Sequence, residues 1–171
     1  GGGSGIVIHR DKLVYSWGDT KALYDLKSTT KSFGSTMLGL AVMDGKVKLR
    51  DRVVKYCPDV FVQPEGKAST WTKDITFWHL ATQTAGFDKP GGYQPLLFEP
   101  GKKWAYSDSG PNYLADCLTQ IYKRDLQDVM FERVFTPLGI KRDDLKWRDN
   151  QYRPKLLNGI PRREFGSGIH A

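Results

Sequence analysis

Only one pair of β-rich runs stands out along this chain: "GIVIH" at 5–9 and "LVYSW" at 13–17, joined by "RDK". Their spacing predicts a β-hairpin. Two exposed strands are marginally stable alone. Further strands ought to cover them, yet no other segment offers evident ones. The sequence therefore reads as α/β: an N-terminal hairpin of an incomplete antiparallel sheet, with a mostly helical region beside it.

The 171 residues suit one domain spanning 1–171, long enough to bury a core. A composition 39% hydrophobic and 26% charged excludes a disordered chain, and no long uncharged apolar run predicts a membrane span. The net charge of +7 is spread over pairs and singles such as Lys102-Lys103, Lys141-Arg142 and Arg162-Arg163, with acidic residues between them. That pattern describes a solvated surface rather than a nucleic-acid partner. Cys57 and Cys117 lack C-x-x-C spacing and read as small core residues, with a disulfide left open. His9, His79 and His170 show no metal-ligand spacing, so neither a metal nor a cofactor is expected. The opening "GGGSG" lacks a basic start and an apolar run, so it is not read as a signal peptide. Both ends read as though the chain starts and stops in mid-fold. The compartment is not given by these features.

Phe33, Met37, Leu40 and Ala41 form an apolar stripe at helical spacing, and Gly45 supplies a stop, which predicts a buried helix over 28–44. Residues 46–61 read as an extended stretch with a short turn. "KDITFWHLATQTAGF" reads as a short helix that Asp74 caps and Gly86 ends. The proline- and glycine-rich segment from Asp88 to Asp108 is loop. Helices are expected from Ser109 to Tyr122, with Pro111 in the first turn, and over "DLQDVMFERVF". Beyond Ile140 the chain reads as mostly irregular.

Lys31 follows Ser28 by three residues, in the first turn of the predicted helix, where a cation is disfavoured by about 0.3–1 kcal/mol. Residues three apart on a helix are neighbours, so Ser28 and Lys31 share a side with Ser32 and Ser35, opposite the apolar stripe. A serine hydroxyl needs a base, and an amine serves when burial and positive potential lower its pKa. The helix start also offers N–H groups to an oxyanion. On local sequence alone, Ser28 reads equally well as an N-cap. Tyr106, just ahead of the helix that Asp108 or Ser109 caps, is either a half-buried aromatic or a proton relay.

These elements fall in a recognisable order: "STTK" at 28–31, "MDGKVKLRDRV", "ITFWHLATQTAGF", "EPGKKWAYSDSGPNYLAD", "VFTPLGI" and "FGSGIHA". Together they resemble the serine β-lactamase and penicillin-binding-protein superfamily, in its class C β-lactamase and family VIII esterase-like branch. The resemblance implies a β-lactamase-like fold and an acyl-enzyme on Ser28, with Lys31 and Tyr106 as proton shuttles. The substrate would be a small ester or amide. Asp108, Trp104, Tyr93 and Phe87 are the expected substrate-binding residues around the cleft.

Three departures qualify the resemblance. The family's Y-x-N is Tyr106-Ser107-Asp108, and an ionised Asp108 accepts hydrogen bonds but donates none. That argues against an efficient β-lactamase and is compatible with an esterase or amidase. The family's histidine is Gln83, and His79, one turn earlier, reads as structural. The family's later helix and strands, with a K-T-G or H-x-G motif and a second oxyanion N–H, are absent. A second chain or further segment is therefore the expected partner that supplies strands. The rival readings are a catalytically silent ligand- or peptide-binding relative and a basic interaction domain in which Ser28 is only a cap.

Overall fold

The computed structural model describes residues 3–59, 61, 66 and 70–171; Gly1 and Gly2 of the glycine-rich start, and Val60 of the 46–61 stretch, lie outside them. Strands β1 (Gly5–His9) and β2 (Lys12–Trp17) form the expected antiparallel hairpin. Its turn holds Arg10 and Asp11 at φ 48° and 61°, both left-handed. That is the geometry of a two-residue turn whose twist matches the strands it joins. Among the described strands none pairs with the hairpin. Ile6, Ile8, Val14, Tyr15 and Trp17 are all exposed on it.

Helix α1 (Thr30–Met43) starts later than its periodicity predicts, behind one 3₁₀ turn at Lys27–Thr29. Lys27, just ahead of the predicted start, sits at φ 49°. Met37, Leu40 and Ala41 are buried as the stripe requires, and Phe33 meets Phe135 edge-on at 5.7 Å. The segment after α1 is not extended. It folds into turns with a 3₁₀ element at Val53–Lys55, because the Asp51 carboxylate accepts from Lys48 N and the Tyr56 hydroxyl. Helix α2 (Phe77–Ala81) is capped by Thr76 rather than Asp74, which pairs with Arg52 at 3.2 Å. It ends before Gln83 (φ 62°), not at Gly86. Gly86 is required for another reason: at φ 100°, an added Cβ would lie 2.1 Å from the Phe98 carbonyl oxygen.

Helix α3 (Ser109–Tyr122) has the expected bounds and packs against both α1 and α2. Helix α4 (Leu126–Met130), capped by Asp125, runs on into a π turn at Phe131–Phe135. Where irregular chain is expected, two short ladders form. They pair β3 (Lys146–Trp147) with β6 (Ile169–His170), and β4 (Leu156–Leu157) with β5 (Ile160–Pro161). Ion pairs tie this region down: the buried pair of Arg162 Nε with Asp116 on α3 at 2.9 Å, and the part-buried pair of Arg163 with Asp125 at 2.5 Å. Its end lies beside the start of the Ser28 turn, with Leu26 N donating to the Ile169 carbonyl at 2.9 Å. Cys57 and Cys117 are buried free thiols, the former donating to the Cys117 carbonyl at 3.6 Å. No helix among the described residues is long and apolar enough to cross a membrane.

Candidate active site

Ser28 occupies the 3₁₀ turn at Lys27–Thr29, exposed at the boundary between the hairpin's connection and α1. Its hydroxyl caps neither this turn nor α1, which sets aside the N-cap reading. Instead Ser28 Oγ accepts from the Tyr106 phenol at 2.6 Å and from Lys31 Nζ at 3.1 Å. Helical spacing brings Lys31 over the serine; a loop 78 residues away brings Tyr106.

Lys31 Nζ reaches two further acceptors, Asp108 Oδ1 at 2.5 Å and the Gly166 carbonyl at 2.7 Å. Its side chain is only 15% exposed, and the nitrogen lies 4.8 Å from the centre of the Tyr106 ring. Three acceptors match the three hydrogens of an ammonium group. The Asp108 side chain caps nothing and faces Lys31 instead. The Ser107 and Ser109 hydroxyls accept from Gly110 N at 3.5 Å and Gln94 N at 2.8 Å respectively.

Tyr106 is held by its two neighbours. Ala105 N donates to the Gln83 carbonyl, and Ser107 N donates to Gln83 Oε1, both at 3.0 Å. The left-handed backbone of Gln83 lets one residue turn both oxygens toward that loop. Gln83, noted in the sequence only as a departure, is thus a clamp on the tyrosine. Two more residues carry weight that their sequence setting hides. Gly166 lies in "FGSG", where no spacing relates it to Lys31. Asn112 lies in "SGPNYL", inside a helix, and nothing in that stretch relates it to the "FGSG" segment that it holds.

The expected aromatic lining is not assembled here. Phe87 is buried in the core, stacked on Tyr113 at 4.9 Å, and offers no face to a ligand. Tyr93 is turned toward Asn150, which donates to its hydroxyl at 2.8 Å, and toward the Arg153 guanidinium at 3.8 Å. Trp104 is exposed on the chain leading to Tyr106. Behind Lys31 a small cavity of about 30 Å³ is lined by Gly34, Gln83, Pro111 and Phe165 among others. A hollow of about 500 Å³ lies elsewhere, between Tyr56, Gln120 and Asn158. His79 is structural: its Nδ1 accepts from Thr76 N at 3.3 Å. Burial and the nearby Arg50 charge hold its imidazole below the usual histidine range.

The fold has solved counterparts. A beta-lactamase/D-alanine carboxypeptidase from Yersinia pestis superposes with a TM-score of 0.66 at 24% identity, over 94% of this chain and 56% of that one. A beta-lactamase of Escherichia coli K12 is 28% identical over 160 residues, which cover 78% of this chain and 41% of that protein. The D-alanyl-D-alanine-carboxypeptidase/endopeptidase AmpH of the same strain is 27% identical, over 80% of this chain and 43% of its own length. The chain thus spans less than half the length of these curated relatives. The profile of the Beta-lactamase family matches residues 1–155, and the chain belongs to that family.

Proposed function

We propose that this chain carries the nucleophile and proton-transfer residues of a serine hydrolase acting on small esters or amides. The observation behind the reading is the convergence of Tyr106 and Lys31 on one hydroxyl, at 2.6 and 3.1 Å. Ser28 Oγ attacks the substrate carbonyl carbon. Its proton passes to the Tyr106–Lys31 pair and from there to the leaving oxygen or nitrogen. Water, activated through the same pair in reverse, breaks the acyl–serine bond and frees the acid.

Asp108 sets what the site prefers. Its Oδ1 is taken by Lys31, and a carboxylate has no hydrogen to offer a substrate amide carbonyl. Substrates that need such a donor, penicillins among them, are poorly served. The exposed hairpin and the partial coverage of the relatives support a further reading. Additional strands, from a longer chain or a second one, complete the sheet and supply the missing third motif.

One observation favours the rival reading of a catalytically silent ligand-binding relative. Ser28 Oγ, the Asp108 carboxylate and the Gly166 carbonyl give Lys31 Nζ three acceptors, which engage it as a donor rather than a base. Intact-mass spectrometry with a fluorophosphonate, and separately a penicillin, decides between them. An adduct absent from Ser28→Ala and slowed in Lys31→Ala supports the hydrolase. No adduct on folded protein supports the silent relative.

A further inference from the structure

We infer that Asn112 is a positioning residue: from inside α3 it sets the Gly166 carbonyl that holds Lys31 on Ser28. The catalytic meaning of this relay rests on the function proposed above; its geometry does not.

Asn112 is fully buried. Its Oδ1 accepts from Gly166 N at 2.8 Å and from Phe165 N at 3.1 Å, and its Nδ2 donates to the Gly92 carbonyl at 3.2 Å. One side chain therefore fixes two consecutive peptide groups. The Gly166 residue is committed at both ends, its N–H to Asn112 and its carbonyl to Lys31 Nζ at 2.7 Å. It also has no lateral freedom. A Cβ at Gly166 would come 3.0 Å from Asp108 Cβ and 3.1 Å from Asn112 Oδ1. The preceding Phe165 ring presses on Gly34 of α1, where a Cβ would meet it at 2.7 Å. The loop is thereby gripped between α1, which carries Lys31, and α3, which carries Asn112.

Truncating Asn112 leaves two buried N–H groups without their acceptor. With its N–H released, the Gly166 residue is free to change its backbone dihedrals and turn the following peptide's carbonyl away, and Lys31 keeps Ser28 and Asp108 but loses its third acceptor. A residue that merely filled space in α3 would have no selective effect on this amine.

The test is competitive acetylation with limiting acetic anhydride, read lysine by lysine by mass spectrometry, with Lys27 (side chain 80% exposed) as internal standard. The Lys31-to-Lys27 ratio should rise about tenfold in Asn112→Ala, the scale expected for one lost hydrogen bond to a charged group. Asn112→Asp keeps an accepting oxygen for the two N–H groups while losing the donor to Gly92 and adding a buried carboxyl group, so its ratio should rise less than in Asn112→Ala. Fluorophosphonate labelling of Ser28 should slow about tenfold in Asn112→Ala, yet slow no further when Lys31→Ala is already present. An unchanged acetylation ratio in folded Asn112→Ala overturns the inference. So does an Asp variant as reactive as the Ala variant, or equal slowing in both backgrounds. If Asn112→Ala does not fold, Asn112→Ser takes its place, its hydroxyl being too short to hold both N–H groups: a raised ratio supports the relay and an unchanged one overturns it. Failure of Ser28 to label at all sinks the proposed function instead, while the acetylation ratio still judges Asn112.

Discussion

The Tyr106 hydroxyl sits 2.6 Å from Ser28 Oγ while the Tyr106 ring stacks against Lys31 Nζ at 4.8 Å, so one side chain touches both partners of the S-x-x-K pair. Tyr106→Phe separates the two contacts, since it keeps the ring and removes the hydroxyl to which the proposed function gives the proton transfer. Fluorophosphonate labelling of Ser28 should fall by about 10²–10⁴-fold, the usual range for a lost acid–base group. The melting free energy should change by about 1 kcal/mol or less, because the lost hydrogen bond is solvent-accessible.

Asp108→Asn restores a donor where the carboxylate has none, and removes the charge facing Lys31 across 2.5 Å. Penicillin acylation, followed by intact mass, should become about tenfold faster, the scale of one added hydrogen bond. A variant no faster than the original would show that Asp108 does not set the preference.

His79 makes stability fall toward acid. Thr76 N–H donates to Nδ1, which only the unprotonated ring accepts, and burial and Arg50 keep the ring unprotonated in the folded chain. The unfolded chain takes up that proton first, near the ordinary value of about 6.5, so stability is full above it and declines as pH drops through it. Urea midpoints at pH 7.5 and 5 should differ, and His79→Gln, which does not titrate, should narrow the difference.

Gly86→Ala should cost about 2 kcal/mol or more, since it combines a left-handed backbone with a Cβ driven into the Phe98 carbonyl. Thermal melting of the variant measures it. A loss no larger than that of Gly39→Ala, whose Cβ meets nothing within 4 Å, would contradict the assignment.

Much of this architecture was readable from local pattern. The Val-Ile-Tyr alternation declares the hairpin, and the Phe33–Met37–Leu40–Ala41 stripe declares α1. Both elements are specified by residues adjacent along the chain. The Ser28–Lys31 pair is legible for the same reason, because three residues of helix place it. Tyr106 was legible only through likeness to a family, since nothing in its own surroundings points to Ser28. The failures have separate physical origins. Gln83 adopts a left-handed backbone without being glycine, so the early end of α2 is not signalled by residue type. The cap went to Thr76 because Asp74 had Arg52 to pair with, a tertiary partner invisible to local reasoning. Phe87 and Tyr93 look like cleft residues in a loop rich in glycine and proline. Packing on Tyr113 and Asn150 decides otherwise.

The three acceptors of Lys31 come from positions separated from it by 3, 77 and 135 residues. Contacts of such unequal sequence distance do not form together. The local one is closed within a helical turn, whereas the most distant must await closure of nearly the whole chain. Loop-closure entropy therefore favours forming the Ser28–Lys31 contact ahead of those from Asp108 and Gly166. The order of folding acts as a safety catch: a nascent or partly unfolded chain carries its serine without the constellation around it. The appearance of Ser28 reactivity during refolding should lag the recovery of helical signal, and so report the last step of folding rather than the first.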